Sequence, residues 1–221
     1  MPLALAHRIT AALAAVMLGV SVLGGCASQV PHLADPPETA STAVMPSETI
    51  TPSETPEQKQ TNDPADPDSW LVTETGIGPI EIGGDFEGTL AEIRSTGVGT
   101  FDCEGVAYGF ADDNAYDILV IEDRAEGSDG IAEVSIGWNS DTMGVGPRTA
   151  ESLGLGSTKE QVLGAYEDAT EQGSQILDHS YVTIPDNDGK SKLVFGYRDG
   201  YDGAVSVSVI TGTEPAYEPC A

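Results

Sequence analysis

IAEVSIGW, residues Ile131–Trp138, and AVSVSVI, residues Ala204–Ile210, are the stretches on which the fold turns. In the second, Val205, Val207 and Val209 alternate with Ser206 and Ser208. In the first, Ala132, Val134, Ile136 and Trp138 share one face. Side chains along a strand point to opposite sides with a period of two, so this alternation predicts half-buried antiparallel strands. Four further runs read as strands: VAYGF at Val106–Phe110, Ile118–Ile121 within YDILVIED, SYVTI at Ser180–Ile184, and KLVFGY at Lys192–Tyr197. Polar runs such as DRAEGSDG and DNDGK separate them, as turns do.

A short helix is predicted ahead of each set of strands. Phe86, Leu90 and Ile93 recur at i, i+4 and i+7 after Gly83-Gly84-Asp85, with Asp85 placed to cap. In the second half Val162, Leu163 and Tyr166 mark the buried side of KEQVLGAY, and Ser157 and Glu160 have capping-box spacing. The expected class is α+β. Two similar units, about 69–142 and 143–221, each place a short helix before an antiparallel meander, with the helices on one sheet face. These 153 residues hold 23 of the 26 glycines and all of the tryptophan, phenylalanine and tyrosine.

The remainder of the chain reads differently. Residues 1–25 have a single cation, Arg8, besides the N-terminal amine. A run from Ala11 to Leu23 is nearly all apolar, a length suited to a signal peptide and short for a membrane span. It ends Leu23-Gly24-Gly25-Cys26, which resembles the lipobox of bacterial lipoproteins. The resemblance implies that the Cys26 thiol accepts the lipid and that small residues before it admit the peptidase. The mature chain would then start at Cys26 and hang by lipid from the extracytoplasmic face of the cell membrane. Residues 27–68 hold 8 of the 14 prolines, 10 Ser/Thr and neither glycine nor aromatic residues. With the lipidated Cys26 they form a segment, 26–68, too poor in apolar surface to fold alone. It reads as a tether of about 130 Å when fully extended.

Each predicted helix is entered by an Ile/Leu-Gly step, Ile82-Gly83 or Leu155-Gly156, and followed by a meander. Across about residues 75–212 this order resembles the duplicated repeats of the β-lactamase-inhibitor-protein fold. It also resembles small outer-membrane-assembly lipoproteins, which carry one such unit. The chain departs from the latter in having two units and a long acidic tether. The resemblance implies a fold and a binding habit, and no inhibitory residue transfers.

With Cys26 lipidated, Cys103 and Cys220 remain, and in an exported domain the economical outcome is one disulfide. A metal pair or redox thiol is the alternative, but the domain has no Cys-x-x-Cys and His179 is its sole histidine. No Gly-x-Ser-x-Gly is present. The glycine-rich run Gly76–Gly84 lacks a phosphate-loop lysine. Paired acids at Asp112-Asp113, Glu122-Asp123, Asp186/Asp188 and Asp199/Asp202 fall in expected turns, where Asp is favoured for backbone reasons. No catalytic residue, metal site or cofactor is therefore expected.

The whole chain has 9 basic and 36 acidic residues, a formal charge of −27. That excludes nucleic acid as a partner. The expected function is a membrane-anchored, non-enzymatic module that binds a protein or cell-wall component. The alternatives are an envelope hydrolase using paired carboxylates and a cation- or solute-binding module using the acidic loops.

Overall fold

A computed structural model describes residues 60–101, 103–125, 128–139 and 144–220. The chain divides into two units, 1–52 and 53–221, and every described residue belongs to the second. The Leu23-Gly24-Gly25-Cys26 motif, the expected signal peptide and most of the expected tether lie outside the described residues. Among the described residues no helix is long and apolar enough to cross a membrane.

Three two-residue strands open the fold: β1 (Val72–Thr73), β2 (Gly76–Ile77) and β3 (Ile80–Glu81), joined as a small antiparallel sheet. After them come helix α1 (Phe86–Glu92) and strands β4 (Gly99–Thr100), β5 (Val106–Ala111), β6 (Tyr116–Glu122) and β7 (Ile131–Trp138). Helix α2 (Lys159–Ala165) is followed by β8 (Thr170–Gly173), β9 (His179–Pro185), β10 (Lys192–Arg198) and β11 (Ser206–Ile210). These eight strands form one antiparallel sheet in the order β4-β5-β6-β7-β11-β10-β9-β8. The order is palindromic. Each four-stranded meander ends on its last strand at the centre, where β7 and β11 pair with Ser135 opposite Ser208.

This architecture overturns the expected α+β class. The protein is mostly β, with an eight-stranded and a three-stranded antiparallel sheet, and its helices do not form a layer on the sheet. Length is the reason. Each helix has 7 residues and so spans about 10 Å, whereas eight strands extend about 34 Å across. Helix α1 buries Phe86 and Leu90; α2 buries only Val162, and Leu163, expected on its inner side, is exposed. Trp70, the small sheet's Ile77 and Ile80, and Leu153 and Leu155 ahead of α2 share one core with these buried helix residues. Against these pack Ile118 and Val120 of β6, Val134 and Ile136 of β7, Val207 and Val209 of β11, and Phe195 of β10.

The helix starts follow local chemistry. The Asp85 carboxylate accepts the Gly88 amide at 2.6 Å. The capping box of α2 lies at Thr158 and Gln161, one residue beyond the expected Ser157 and Glu160. Ser157 is buried and its Oγ accepts the Gly154 amide at 2.9 Å, which leaves the cap to its neighbour. Before β1, Gln60, Asp63 and Asp68 already belong to this unit. The Gln60 side-chain amide donates to the Arg148 carbonyl, Trp70 Nε1 donates to the Asp63 carbonyl, and the Tyr116 hydroxyl donates to Asp68.

Candidate functional site

The outer face of the large sheet holds most of the unusual chemistry. Pleating places Tyr108 and Phe110 of β5, Asp117 and Leu119 of β6, Glu133 and Ser135 of β7, and Ser206 and Ser208 of β11 on this side. The serine face of β11 was expected to meet solvent. Ser208 is only 1% exposed and Glu133 only 7%. The C-terminal segment produces this burial. After β11 the chain runs back across the sheet, and Cys220 is disulfide-bonded to Cys103, 117 positions earlier. Along its course Glu214 accepts the Ser174 hydroxyl at 3.1 Å, Lys192 Nζ donates to the Thr213 carbonyl, and the Arg124 guanidinium donates to the Pro219 carbonyl. The amide of Ala216 donates to Glu133 Oε2 at 3.0 Å.

Between this strap and the sheet lies an open groove of about 400 Å³, walled by Tyr108, Tyr181, His179 and Tyr217. Its floor is made of small residues: Gly137, Gly196, Ser206 and Ser208. At two of these positions any larger residue would displace a neighbouring side chain. A Cβ on Gly137 would stand 2.3 Å from Asp117 Oδ1, and one on Gly196 would stand 2.2 Å from Ser206 Oγ.

Two carboxylates sit in this floor. Asp117 Oδ2 accepts the Tyr108 hydroxyl at 2.9 Å. Burial pushes the Asp117 carboxyl above the ordinary 3.8, and bonds from Tyr108 and the Gly137 amide offset part of that rise. Burial, with the Asp117 bond and charge adding to it, pushes the Tyr108 phenol up to about 12. Glu133 Oε1 accepts the Ser135 hydroxyl at 2.7 Å, and Ser135 Oγ is also 2.7 Å from Ser208 Oγ. Burial drives the Glu133 carboxyl above 4.5, against the bonds from Ser135 and Ala216.

Beside the groove the aromatic rings are open to solvent. Phe101 is 52% exposed and Phe110 46%. Tyr108 stands between them, its ring centroid 5.7 Å from that of Phe101 and 5.1 Å from that of Phe110, the latter edge-on. Tyr217, on the strap, is 68% exposed.

Of the residues singled out in the sequence, Cys103 and Cys220 are brought together. Asp112 and Asp113 form the β5–β6 turn with positive φ, and Asp199 and Asp202 lie between β10 and β11. Asp186 caps its own turn by accepting the Asp188 amide. Asp123, Asp186 and Asp188 border a separate surface cavity together with Lys190. Among the described residues no group of three or more His, Cys, Asp or Glu is placed to hold a metal ion. His179 opens β9, and its Nδ1 is 2.9 Å from the Leu177 carbonyl. Tyr108, Asp117, Glu133 and the strap were not singled out. The available signal was an acid inside a strand, Asp117 in YDILVIED and Glu133 in IAEVSIGW, because strands are depleted in Asp and Glu.

No family model, curated protein or solved structure matches this chain.

Proposed function

We propose that this chain is a membrane-anchored extracytoplasmic lipoprotein whose folded domain binds a protein or envelope component, without catalysing a reaction, through the outer face of its large sheet. The observation that carries the reading is the exposed ring cluster of Phe101, Tyr108 and Phe110 beside the groove. Exposed aromatic groups massed on one face mark interaction surfaces, because their burial on binding supplies most of an interface's energy. The Leu23–Cys26 motif supports the anchor, and the proline-rich segment after it supports a stand-off from the membrane.

The test is capture from detergent-solubilised envelope with the full chain as bait. Phe101→Ala/Phe110→Ala is expected to weaken capture about ten-fold or more, the usual scale for aromatic anchors, with an unchanged circular dichroism spectrum and Tm. Equal capture by the variant and the parent rules the face out. In cells Cys26→Ala is expected to move the chain to the soluble fraction, and full retention on the membrane removes the anchor.

A further inference from the structure

The groove's charge is as one-sided as its shape is specific. Asp117 and Glu133 line it, and Glu214, which precedes the lining Pro215 on the strap, is bonded to Ser174. No Lys or Arg is among its described lining residues, and His179 is the sole basic group there. The cations nearest the strap are engaged: Lys192 with the Thr213 carbonyl and Arg124 with the Pro219 carbonyl. Arg198, at the end of β10 and opposite His179 in the sheet, is exposed and is not among the groove's lining residues. Glu133 is spent on the strap's Ala216 amide and on Ser135. Asp117 differs. It is half-buried, faces the groove beside Tyr108, and its donors are all neutral: the Tyr108 hydroxyl, the Gly137 amide and its own backbone amide. The Phe101–Tyr108–Phe110 rings stand directly alongside.

A desolvated carboxylate without a cation is costly, and an incoming guanidinium or ammonium removes that cost while gaining a charge-assisted bond. Aromatic rings at the same place favour a cation over their faces and an apolar stem along their edges. The whole domain adds the long-range term: residues 69–221 carry 7 basic against 28 acidic residues, a net −21, which steers cationic partners in.

We propose that the partner of this face is a protein segment presenting an arginine or lysine side chain between apolar neighbours, and that Asp117 receives the cation in the groove beside Tyr108. This rests on the reading of the sheet face as the binding surface.

The probes are three blocked tripeptides, acetyl-Leu-Arg-Leu-amide and its citrulline and glutamate counterparts, titrated into the full ¹⁵N-labelled chain. Citrulline keeps the shape of arginine and lacks its charge. The arginine peptide is expected to shift the Gly137 and Tyr108 amide resonances and to bind about ten-fold or more tightly than the citrulline peptide. Asp117→Asn, which keeps an acceptor for Tyr108 and Gly137, is expected to abolish that preference. Equal binding of the arginine and citrulline peptides overturns the inference. So does a preference that survives Asp117→Asn, since general attraction to an acidic surface would then account for it. If both peptides bind equally at this face and Phe101→Ala/Phe110→Ala weakens both, the binding face stands and only its cation specificity falls. If neither peptide moves these resonances, the cation pocket is refuted, and capture with the Phe101/Phe110 variant judges the face separately.

Discussion

Glu133 shows at the scale of one residue how the strap and the sheet depend on each other. Its position in IAEVSIGW is a polar slot that alternation assigns to solvent, yet it is buried beneath the chain that returns to Cys103. Two donors, the Ser135 hydroxyl and the Ala216 amide, satisfy its oxygens without neutralising them. Burial therefore wins, and the carboxyl holds its proton to higher pH in the folded chain than its ordinary value of 4.5 allows in the unfolded one. Above 4.5 the folded state binds more protons than the unfolded state, so stability falls as pH rises until the folded carboxyl is fully ionised. Glu133→Gln keeps an acceptor and removes the charge. It is expected to raise Tm near neutral pH and to gain progressively less as pH falls toward about 4.5. Thermal melts of both proteins across that range check this; a Tm difference that is flat with pH would show that Glu133 ionises freely beneath the strap.

The next scale is that of the elements, where the strap is the least local feature of the fold. Its attachment closes a loop of 117 positions, and its course crosses β7. In the chain-entropy account a cross-link of that span restrains the unfolded ensemble strongly, and loss of a native disulfide costs about 2–5 kcal/mol. Cys220→Ser is expected to lower the guanidinium midpoint accordingly and to raise hydrogen exchange at Ala216 ahead of the β-strand amides. A variant that unfolds at the parent midpoint would mean that the tail contributes nothing to the fold. Strands β5, β6, β7, β9, β10 and β11 were legible in the sequence because five or more residues of alternating or β-branched character suffice to reveal a period of two. Strands β1 to β4 were not, since two residues cannot display a period, and β8, TEQG, is polar throughout. The starts of both helices were legible to within a residue, but what they cover was not. A two-turn amphipathic segment has the same pattern whether it belongs to a helical layer or plugs one corner of a core. The groove was illegible for a similar reason. Asp117 meets Gly137, and Glu133 meets Ala216, only through long-range register and the path of the tail.

Across the whole molecule, the strongly acidic composition also sets a cost on folding. The domain's 28 acids face 7 cations, and among the described residues one ion pair is formed, Lys159 with Glu171, itself on the surface. Pairwise bridges therefore do little to hold the chain together. The apolar inner face of the sheet, the strap and the disulfide must do so against a net repulsion that acts over the entire surface. Such repulsion is screened by salt in a way that buried carboxylates are not. The screening length shrinks from about 30 Å at 0.01 M to about 3 Å at 1 M. Tm is accordingly expected to climb steadily as NaCl is raised between about those limits, and choline chloride is expected to reproduce the climb because neither cation needs a site. Calcium chloride at matched ionic strength adds the discriminating arm. An equal rise assigns the effect to screening, whereas a much larger one places a calcium site in the acidic turns. A Tm that does not move in NaCl would show that the acids are spaced widely enough to fold without mutual cost, and that the net −21 acts only on what approaches from outside.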